Sequence, residues 1–576
     1  MGHSDESGGG SGTSAGKMLR YLKEHGVQEF AAHAAEEVRD RRFDYQKWVQ
    51  KNRVSSVQAG YQRKLLLPKM PKVFVLIARN QEEGAKQPAG KNLEATLKSI
   101  RASTYGRVCP VQAIHSQIRD EDYMAFVREG DLIERDAIFE MVRGIQDGAD
   151  AVYTDEDTWD LSDGKTIYRD PLFKPDYDPD FLRAKNYIGC FVLVRVGVLR
   201  SIYAKAGRDK IPTSRNVFDP AYDWWLTIRI MDAAASMGGV KHVPKVLYHA
   251  RRQEMDPDQA MHCHERARGY LQEILSVEGE NAVAEDGPVQ DSFHVSYRIE
   301  GTPLVSIIIP NADHASVLEN CIDSIRSRST WKRLEIVVVE NNSREEETFA
   351  LYRKLEERGE ARIVQYPHAF HFSRVINEGV RNAEGDYLIL MNNDVTVHTP
   401  DWIEKLLSQA MRPGVGVCGP KLLYPDGRVQ SAGIVTGIMG FAGSMMVALP
   451  GDDPGYMGRA VLTQNMSAVT AACMMVRRDA FDAAGGFPDE FGVALGDVDF
   501  CLSVRDAGYR VIFEPSAILI HHESLTRGQE DTAAKKKRFA VEKARFRKKR
   551  ALILQKGDPF YNPNLSRRRC DYSQQT

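Results

Sequence analysis

Cysteine is scarce in this chain of 576 residues, and no two cysteines form a Cys-x-x-Cys pair. The eight cysteines are scattered, so we expect reduced, small core residues of a cytosolic protein rather than a disulfide framework. No uninterrupted apolar run reaches about 18 residues, which argues against a membrane-spanning helix. The first residues also lack the apolar stretch of a secretion signal. The sequence therefore predicts a soluble, intracellular protein.

An excess of charge of one sign is also missing. The chain has 77 basic and 79 acidic residues, a formal net charge of −2. This balance argues against a nucleic-acid binder, and any electrostatic function must come from a local patch. The length exceeds what one ordinary hydrophobic core organises, so we expect two or more domains.

Short apolar runs followed by helical patterns occur twice along the chain. "KVFVLIA" (72–78) precedes "NLEATLKSI", and "LVSIIIP" (304–310) precedes "ENCIDSIRSRS". Alternation of this kind predicts α/β domains with open, mostly parallel sheets. We divide the chain into a disordered Gly/Ser-rich tail (1–17), an N-terminal helical segment (18–66), a first α/β domain (67–290), a second α/β domain (300–530), and a basic C-terminal helix with a closing segment (531–576).

Three predicted strands of the second domain end in polar residues. The ends are Pro310-Asn311, the segment 340–343 (Glu-Asn-Asn-Ser), and the segment 392–394 (Asn-Asn-Asp). Asn and Asp terminate strands readily, so each end has a separate explanation as a turn. Ligands of open parallel sheets bind at the carboxyl ends of strands, and one shared ligand would explain all three ends together.

The segments "VSIIIPN", "EIVVVENNS", "FSRVINEGVRNAEGDYLILMNNDV" and the stretch from "SAVTAACMMV" through "ALGDVDFCLSVRDAGYRVIFEPSAILIHHES" occur in this order. On these segments, residues 304 to about 528 resemble family 2 of the inverting nucleotide-sugar glycosyltransferases, which have the GT-A fold. The full chain resembles tandem bacterial members associated with cell-surface polysaccharides, including rhamnosyl-containing ones. The resemblance implies two GT-A-like domains with mostly parallel central sheets, the first of them degenerate.

The resemblance implies a divalent cation, Mn²⁺ or Mg²⁺, bound by Asp394 against the donor diphosphate. A hard cation of this kind suits carboxylate, phosphate and water oxygens. The family's commoner motif is Asp-x-Asp, so the Asn at 392 leaves one carboxylate fewer and predicts weak binding without the nucleotide. By its spacing from Pro515, His521 matches the family's second metal ligand, although the adjacent His522 complicates the choice. Plain turn chemistry is the alternative for Asp394, and a structural histidine is the alternative for His521.

The remaining site residues also follow from the resemblance. Asp497 is the expected general base, which would remove the acceptor hydroxyl proton; its alternative role is capping the following helix. The predicted donor-binding residues are Pro310, Asn311, Glu340, Asn342, Arg374, Asn377, Asn392 and Asn393. Each of them could instead cap a helix or pair at the surface. The predicted acceptor side comprises Ser467, Thr470 and Asp499, the last of which could instead support the loop.

The first domain keeps family landmarks but lacks most of the chemistry. Its metal motif is reduced to Arg-Glu-Gly-Asp (128–131), and Ala221 stands where the base is expected, with Asp223 two residues later. The acidic "TDED" (154–157) lies elsewhere in the motif order. We expect a non-catalytic domain that supports the second domain, binds acceptor glycan or mediates assembly. The cluster "MHCHER" (261–266) has no partner pair at ligand spacing, so we expect a helix surface rather than zinc.

The C-terminal stretch "KKKRFAVEKARFRKKRALILQK" (535–556) is strongly basic. It predicts either an amphipathic helix touching anionic lipid or a solvated helix packed on the catalytic domain. We predict a cytoplasmic enzyme, peripheral on the inner face of the plasma membrane, that transfers a hexose or deoxyhexose from a UDP- or dTDP-sugar to a glycan or lipid-linked acceptor. The alternative is a non-catalytic glycan-binding or scaffolding protein. A nucleotidyltransferase is disfavoured because no Gly-rich phosphate loop followed by Lys appears.

Overall fold

The structure is a computed structural model of the chain. It describes residues 44–79, 90–111, 117–205, 219–252, 255–523 and 532–575. The predicted disordered tail (1–17) and the first part of the predicted helical segment lie outside the described residues. From Asp44 onward, that segment contains two short helices, α1 (Tyr45–Asn52) and α2 (Ser56–Lys64).

The first sheet-bearing unit follows these helices. Its strands are β1 (Val73–Ala78), β2 (Val108–Val111), β3 (Tyr123–Arg128), β4 (Leu132–Ile133), β5 (Ala151–Ser162), β6 (Lys165–Leu172), β7 (Val192–Arg195) and β8 (Val240–Arg251). Its helices are α3 (Lys91–Arg101), α4 (Ala137–Gly144), α5 (Pro179–Ala184), α6 (Val196–Lys205), α7 (Pro220–Ser236) and α8 (Pro257–Val277). A hairpin, β9 (Ala282–Asp286) and β10 (Phe293–Tyr297), lies at the predicted junction and packs on the core of this unit through the buried Phe293.

The second unit carries the three polar strand ends. Its strands are β11 (Val305–Asn311), β12 (Leu334–Glu340), β13 (Arg362–Gln365), β14 (Tyr387–Met391), β15 (Val395–Val397), β16 (Val415–Leu423), β17 (Val429–Ser431), β18 (Ile434–Thr436), β19 (Ala442–Ser444), β20 (Gln464–Asn465), β21 (Cys473–Arg477) and β22 (Arg510–His521). Its helices are α9 (Ala315–Arg328), α10 (Glu346–Glu357), α11 (Phe372–Arg381), α12 (Trp402–Ala410), α13 (Arg478–Ala483) and α14 (Gly496–Asp506), and the basic segment forms α15 (Ala533–Lys549) and α16 (Ala551–Lys556). The α/β class and the predicted apolar strands are confirmed.

The two units share one sheet topology. The strand order of the first is β2-β1-β3-β7-β5-β8-β4, and that of the second is β12-β11-β14-β21-β16-β22-β15 with β13 added outside β12. Each strand of the first order has a counterpart at the same place in the second, and every counterpart pair runs in the same direction. The strands from β13 to β14 are parallel, whereas β21 and β15 are antiparallel to their neighbours, so both sheets are mixed. The extra strand β13 adds one more carboxyl end to the side of the sheet where ligands of open α/β sheets bind.

The closing segment joins the two units. Asn562 donates through its side-chain amide to both carboxylate oxygens of Asp155, a residue of the "TDED" cluster, at 3.0 and 2.9 Å. From the same segment, Asp558 accepts from the Thr436 backbone N–H of the second unit at 2.6 Å. Asp178 of the first unit also accepts directly from the Asn465 backbone N–H at 2.8 Å. These acidic residues are buried, so their charges serve to hold the units together.

Two further sequence predictions concern the cysteines and the histidines of 261–266. All eight cysteines are free thiols and five of them are buried, as expected, although Cys109 is exposed. His262 and His264 lie on α8, where the ring of His264 pairs with Asp286 at 3.0 Å, and they contribute to no metal-binding cluster. Within the same part of the chain, no helix has the length and apolar composition needed to cross a bilayer.

Candidate active site

Asp394 and His521 lie against each other at the edge of the second sheet. Asp394 directly precedes β15, whose first residue pairs with His521 at the end of β22. The Oδ1 atom of Asp394 is 3.1 Å from Nε2 of His521, and both side chains are at most 8% exposed. Asn392 approaches the same Nε2 atom through its side-chain amide, at 3.4 Å. The structure therefore brings together the two residues that the sequence proposed as metal ligands.

Gln430 orients the His521 ring. The Gln430 Nε2 group donates to Glu523 at 3.2 Å, which leaves its Oε1 atom to accept from His521 Nδ1 at 2.8 Å. A proton on Nδ1 would leave the lone pair on Nε2, the ring atom that faces Asp394. Metal-binding histidines usually donate their other ring N–H to a neighbouring acceptor in this way.

The residues at this position fit a divalent cation. The Asp394 Oδ1 and His521 Nε2 atoms lie 3.1 Å apart, and a carboxylate oxygen and an imidazole nitrogen are both atoms that a divalent cation takes as ligands. Among the described residues, no group of three or more His, Cys, Asp or Glu side chains could hold a metal. Two protein ligands suit a hard cation that shares its remaining positions with phosphate and water oxygens.

Asp497 lies in the first turn of α14, where it is partly buried. Its Oδ2 atom accepts from the Ala471 N–H at 3.2 Å, and its Oδ1 atom accepts from the Val498 N–H at 2.9 Å. Burial raises the pKa of Asp497 above its usual range, although these N–H groups and the Thr470 hydroxyl oppose the rise. The helix begins at Gly496 and its N-cap is Leu495, so the alternative role of Asp497 as the helix N-cap is wrong.

The segment 470–472 connects Asp497 to the candidate metal ligands. On one side, Ala471 donates its N–H to Asp497 at 3.2 Å. On the other side, Ala472 accepts from the Asn392 N–H at 3.0 Å, two residues before Asp394. The segment continues into β21, which pairs with β14. A hydrogen-bonded path of three residues therefore fixes the candidate base relative to the strand end that carries the candidate ligand.

The polar strand ends meet, as the sequence predicted. Asn393 donates through its side-chain amide to Oδ1 of Asn311 at 2.6 Å, joining the ends of β14 and β11. Pro310 is half-buried in β11 beside β12. Glu340 is 2% exposed, and its Oε1 atom accepts from the Ser343 N–H at 2.5 Å. Its Oε2 atom is buried and has no hydrogen-bond partner within the described part of the chain.

Asn342 adopts a left-handed backbone conformation (φ 62°) and is exposed. Its side-chain amide donates to the His368 carbonyl at 2.6 Å, which ties the end of β12 to the segment after β13. Its side chain therefore shapes the wall beside Glu340.

Two predicted donor residues lie on α11, away from the strand ends. Both amide atoms of Asn377 are occupied, donating to the Phe487 carbonyl and accepting from the Phe487 N–H, each at 2.9 Å. Arg374 is exposed and pairs with Asp489 at 3.4 Å. Asn377 therefore anchors the loop before α14 rather than offering free groups to a nucleotide. Arg374 lines a polar groove of about 930 Å³ between α11 and that loop.

Of the three residues predicted for the acceptor side, only Thr470 is partly exposed; Ser467 and Asp499 are buried. Thr470 is half-buried next to Asp497 and fits the prediction. Ser467 is fully buried and accepts from Arg505 at 2.9 Å, so it has no open face toward an acceptor. Asp499 is fully buried as well; its carboxylate accepts from Lys549 at 2.9 Å and from Arg550 at 2.6 Å. For Asp499 the supporting role is therefore the one that fits, and Ser467 is corrected to a packing residue.

The shared topology identifies counterparts of the metal pair in the first unit. The residue after Asp131 pairs with His249 on β8, as the residue after Asp394 pairs with His521 on β22. Asp131 and His249 therefore hold the places of Asp394 and His521. The sequence had placed Asp131 in the reduced metal motif, whereas the match of His249 to His521 required the strand register.

These counterparts are engaged by other groups. Asp131 accepts from the Tyr248 hydroxyl, whereas His249 contacts Asp157 through Nδ1 at 2.5 Å and Glu134 through Nε2 at 3.1 Å. Burial opposes a charge on His249, but the two carboxylates outweigh it and raise its pKa to about 9. An imidazole that is protonated at neutral pH has no lone pair for a metal.

Arg128 and Asp223 form an ion pair in the first unit. The Arg128 guanidinium pairs with Asp223 at 2.6 Å, and Asp223 is fully enclosed. Burial raises the pKa of Asp223 to about 6, even though Arg128 lowers it. The helix residue in the place of Asp497 is Ala221, as predicted. The carboxylates of this unit are thus committed to internal contacts.

Sequence reasoning missed the residues that orient the site. Gln430 lies 91 residues from His521, and no local pattern connects them. Tyr352 belongs to no recognisable motif either. Its hydroxyl nevertheless accepts from the Asn311 side-chain amide at 2.8 Å and fixes that side chain. Pairings at such separations become visible only when the sheet is assembled.

Residues 306–485 match the model of the family described as Glycosyl transferase family 2. The chain is similar to the O-antigen biosynthesis protein RfbC of Myxococcus xanthus, with 35% identity over 458 residues that cover 77% of this chain and 34% of the relative. It is also similar to an N-acetylglucosaminyl-diphospho-decaprenol L-rhamnosyltransferase of Mycobacterium tuberculosis, with 29% identity over 153 residues that cover 25% of this chain and 50% of the relative. The chain thus spans half the length or less of these relatives.

Among solved structures, the chain is similar to the mannosyltransferase PcManGT from Pyrobaculum calidifontis in complex with GDP-Man and Mn²⁺. The identity is 18%, the superposition covers 46% of this chain and 68% of the other, and the TM-score is 0.34. A TM-score this low carries no argument about the fold. The fold assignment therefore rests on the strand order and the family match.

Proposed function

We propose, from the match of residues 306–485 to the model of glycosyl transferase family 2, that this chain is an inverting glycosyltransferase. It moves a sugar from a nucleotide-diphospho-sugar to a glycan or lipid-linked acceptor in surface polysaccharide synthesis. The observation that carries the proposal is the hydrogen-bonded segment 470–472, which holds Asp497 on one side and the strand end of Asp394 on the other. A base and an anchoring point for a diphosphate are the two elements that inversion requires.

The proposed reaction is a single displacement at the anomeric carbon. The acceptor oxygen forms a bond to that carbon while the bond to the diphosphate oxygen breaks, and the nucleoside diphosphate leaves. The hydroxyl proton of the acceptor passes to the carboxylate of Asp497. The raised pKa of Asp497 makes it a stronger base than an exposed aspartate. Fixed hydrogen bonds from Ala471 and Val498 hold the carboxylate in one orientation.

Asp394 and His521 would hold a divalent cation, Mn²⁺ or Mg²⁺, and such a cation would neutralise the charge of the leaving diphosphate. Asn392 and Gln430 orient the histidine ring. Glu340, whose Oε2 atom is buried without a partner among the described residues, would accept from an N–H group of the base or a ribose hydroxyl. Asn311 and Asn393 lie between these two positions.

The names of the relatives support a choice of substrates to test first. One relative is named for O-antigen biosynthesis, and another is named as an L-rhamnosyltransferase acting on a diphospho-decaprenol-linked sugar. We therefore propose a UDP- or dTDP-activated hexose or deoxyhexose as donor and a lipid-linked saccharide as acceptor. Because the matched regions cover half or less of each of these relatives, the activity of the whole protein is part of this proposal.

We further propose that the two units are tandem copies of which only the second is catalytic. The repeated strand order supports a duplication. The ion pair between Arg128 and Asp223, and the engagement of His249 by carboxylates, support a silent first unit. Its buried contacts with the closing segment give it a supporting role for the second unit.

The test is nucleotide release from UDP-, dTDP- and GDP-sugars in the presence of Mn²⁺, Mg²⁺ or EDTA. We expect release from one donor sugar that depends on the cation, because slow hydrolysis accompanies most transferases when the acceptor is missing. Free nucleotide binding is measured in parallel by calorimetry. A chain that neither releases nor binds any nucleotide would overturn the proposal and favour the scaffolding alternative.

The outer face of α15 supports peripheral contact with an anionic bilayer at the cytoplasmic face. The segment 533–550 contains ten lysine and arginine residues and one acid, Glu542. Phe546 and Glu542 are buried against the second unit, as one of the two predicted arrangements requires. Lys537 and Lys548 are exposed on the other side of the helix.

We expect the chain to sediment with vesicles that contain phosphatidylglycerol and to stay in solution with phosphatidylcholine alone. The double variant Lys537→Glu/Lys548→Glu should weaken this binding about tenfold or more, since each basic residue near an anionic surface contributes about 1 kcal/mol. High salt should weaken it as well. The charge-matched control is Lys51→Glu/Lys64→Glu, on the exposed N-terminal helices. Equal binding by both double variants would contradict the assignment to α15.

A further inference from the structure

The single acid of the basic helix α15 points inward. Glu542 is 4% exposed, whereas most of the helix is solvated. Its Oε1 atom accepts from the N–H groups of Gly492 at 2.8 Å and of Val493 at 3.1 Å. Its Oε2 atom accepts from the N–H group of Ala494 at 2.9 Å. One carboxylate therefore satisfies three consecutive backbone donors of a single loop.

That loop leads directly into the helix of the candidate base. Ala494 is followed by Leu495, which adopts a left-handed conformation (φ 63°), and then by α14, whose second residue is Asp497. Two residues, Leu495 and Gly496, thus separate the last of these amides from the base. A displacement of the amides would rotate the first turn of α14 and carry the Asp497 carboxylate with it.

The other side of the loop is held by α11. The Phe372 N–H donates to the Gly492 carbonyl at 2.7 Å, and the Ser373 hydroxyl donates to the Phe491 carbonyl at 2.8 Å. Carbonyl groups of the loop are thus fixed by α11 and its amide groups by α15. Without Glu542, three amides would lose their acceptor while the carbonyls remained bonded. The loop would then have no fixed hydrogen bonds from these amides on the side that faces α15.

We propose that Glu542 is a positioning residue for the transfer reaction, acting through the loop 492–494 on the orientation of Asp497. The inference rests on the proposed function, because it assigns Glu542 a role only if Asp497 is the base. The Asp499 contacts support it independently: Lys549 and Arg550, at and just after the end of the same helix, hold α14 one turn further along. α15 therefore holds α14 at two points.

The test compares Glu542→Gln and Glu542→Asp with a matched control. A glutamine keeps the shape but turns an N–H group toward a backbone N–H, whereas an aspartate keeps the charge on a shorter stem. The control is Glu347→Gln, an exposed glutamate at the start of α10. The readouts are kcat and KM for nucleotide release from the donor sugar, and hydrogen–deuterium exchange of the peptide that contains residues 492–497.

We expect Glu542→Gln to lower kcat about tenfold or more with KM for the donor within about twofold, since misplacement of a catalytic group lowers rate rather than ground-state binding. Glu542→Asp should recover part of kcat, and exchange should accelerate at 492–494 without change elsewhere. Unchanged kcat and exchange in Glu542→Gln would overturn the inference. A parallel loss of donor binding in both variants would also overturn it, because it would indicate general destabilisation.

Failure of the proposed function would be recognisable separately. If Asp497→Asn turned over donor at the wild-type rate, the base assignment would fail whatever Glu542 does, and Glu542 would have no base to position. If Asp497→Asn were inactive while Glu542→Gln retained full kcat, only the inference about Glu542 would fail. If the wild-type chain released no nucleotide at all, the proposed function would fail and the catalytic role of Glu542 would fall with it.

Discussion

Replacing Asp497 by Asn is expected to lower kcat about 10²- to 10⁴-fold while leaving donor-nucleotide binding within about twofold, the loss that follows from removing a positioned general base. Asparagine cannot take the acceptor proton, but it keeps the size of the side chain and can still accept from the Ala471 N–H group. The measurement is nucleotide release under saturating donor, with binding of the free nucleotide followed by calorimetry. The matched control is Asp482→Asn, an exposed aspartate on α13.

The wild-type rate should also depend on pH in a defined direction. Burial raises the pKa of Asp497, so the carboxyl remains protonated to a higher pH than an exposed aspartate, whose pKa is about 3.9. Only the deprotonated form is a base. The acid limb of kcat/KM should therefore lie above pH 4, with the rate falling as pH decreases through the raised pKa. A flat profile, or substantial turnover by Asp497→Asn, would assign the base to another residue.

Removing the candidate metal ligand is expected to have the second large effect. Asp394→Ala should lower nucleotide release about 10²- to 10³-fold, comparable with the loss of a principal charge-stabilising group. EDTA should have a similar effect on the wild-type chain, and added Mn²⁺ should restore the wild-type chain but not the variant. Binding of Mn²⁺ in the presence of the donor nucleotide gives a readout that does not depend on turnover.

The two adjacent histidines provide a matched pair for this prediction. His521 faces Asp394 through Nε2 at 3.1 Å, whereas the corresponding atom of His522 contacts the Thr396 hydroxyl at 3.2 Å. We expect His521→Ala to weaken Mn²⁺ binding and His522→Ala to leave it within about twofold. Equal effects of both changes would contradict the geometry. Full activity of Asp394→Ala in EDTA would contradict the metal site itself.

The convergence of Asn311, Glu340 and Asp394 at one edge could be predicted because parallel strands in one sheet end at the same side. Apolar runs such as "LILM" identify buried strands by composition alone, and they do so with no knowledge of their neighbours. The order of motifs along the chain also sufficed to place Asp497 at the start of a helix. These features depend on backbone direction and local pattern, both of which are written in consecutive residues.

Whether each of the other candidate residues can contact a ligand depends on whether its side chain is already hydrogen-bonded within the protein. Asn377 and Asp499 have the residue types of a ligand site, but Phe487 engages the first and Lys549 and Arg550 engage the second. In the first unit, the match between His249 and His521 became visible only when strand register was available. Composition does not distinguish a free carboxylate from one that is already paired.

The sequence by itself determined the α/β class, the strand ends that carry polar groups, and the candidates Asp394, Asp497 and His521. Only the tertiary structure showed that Gln430 turns the ring of His521 toward Asp394, and that Glu542 clamps the loop before Asp497. The physical reason is range. Local backbone preferences and hydrophobic periodicity act over a few residues, whereas a hydrogen bond between residues 91 or 50 positions apart exists only after distant segments have packed together.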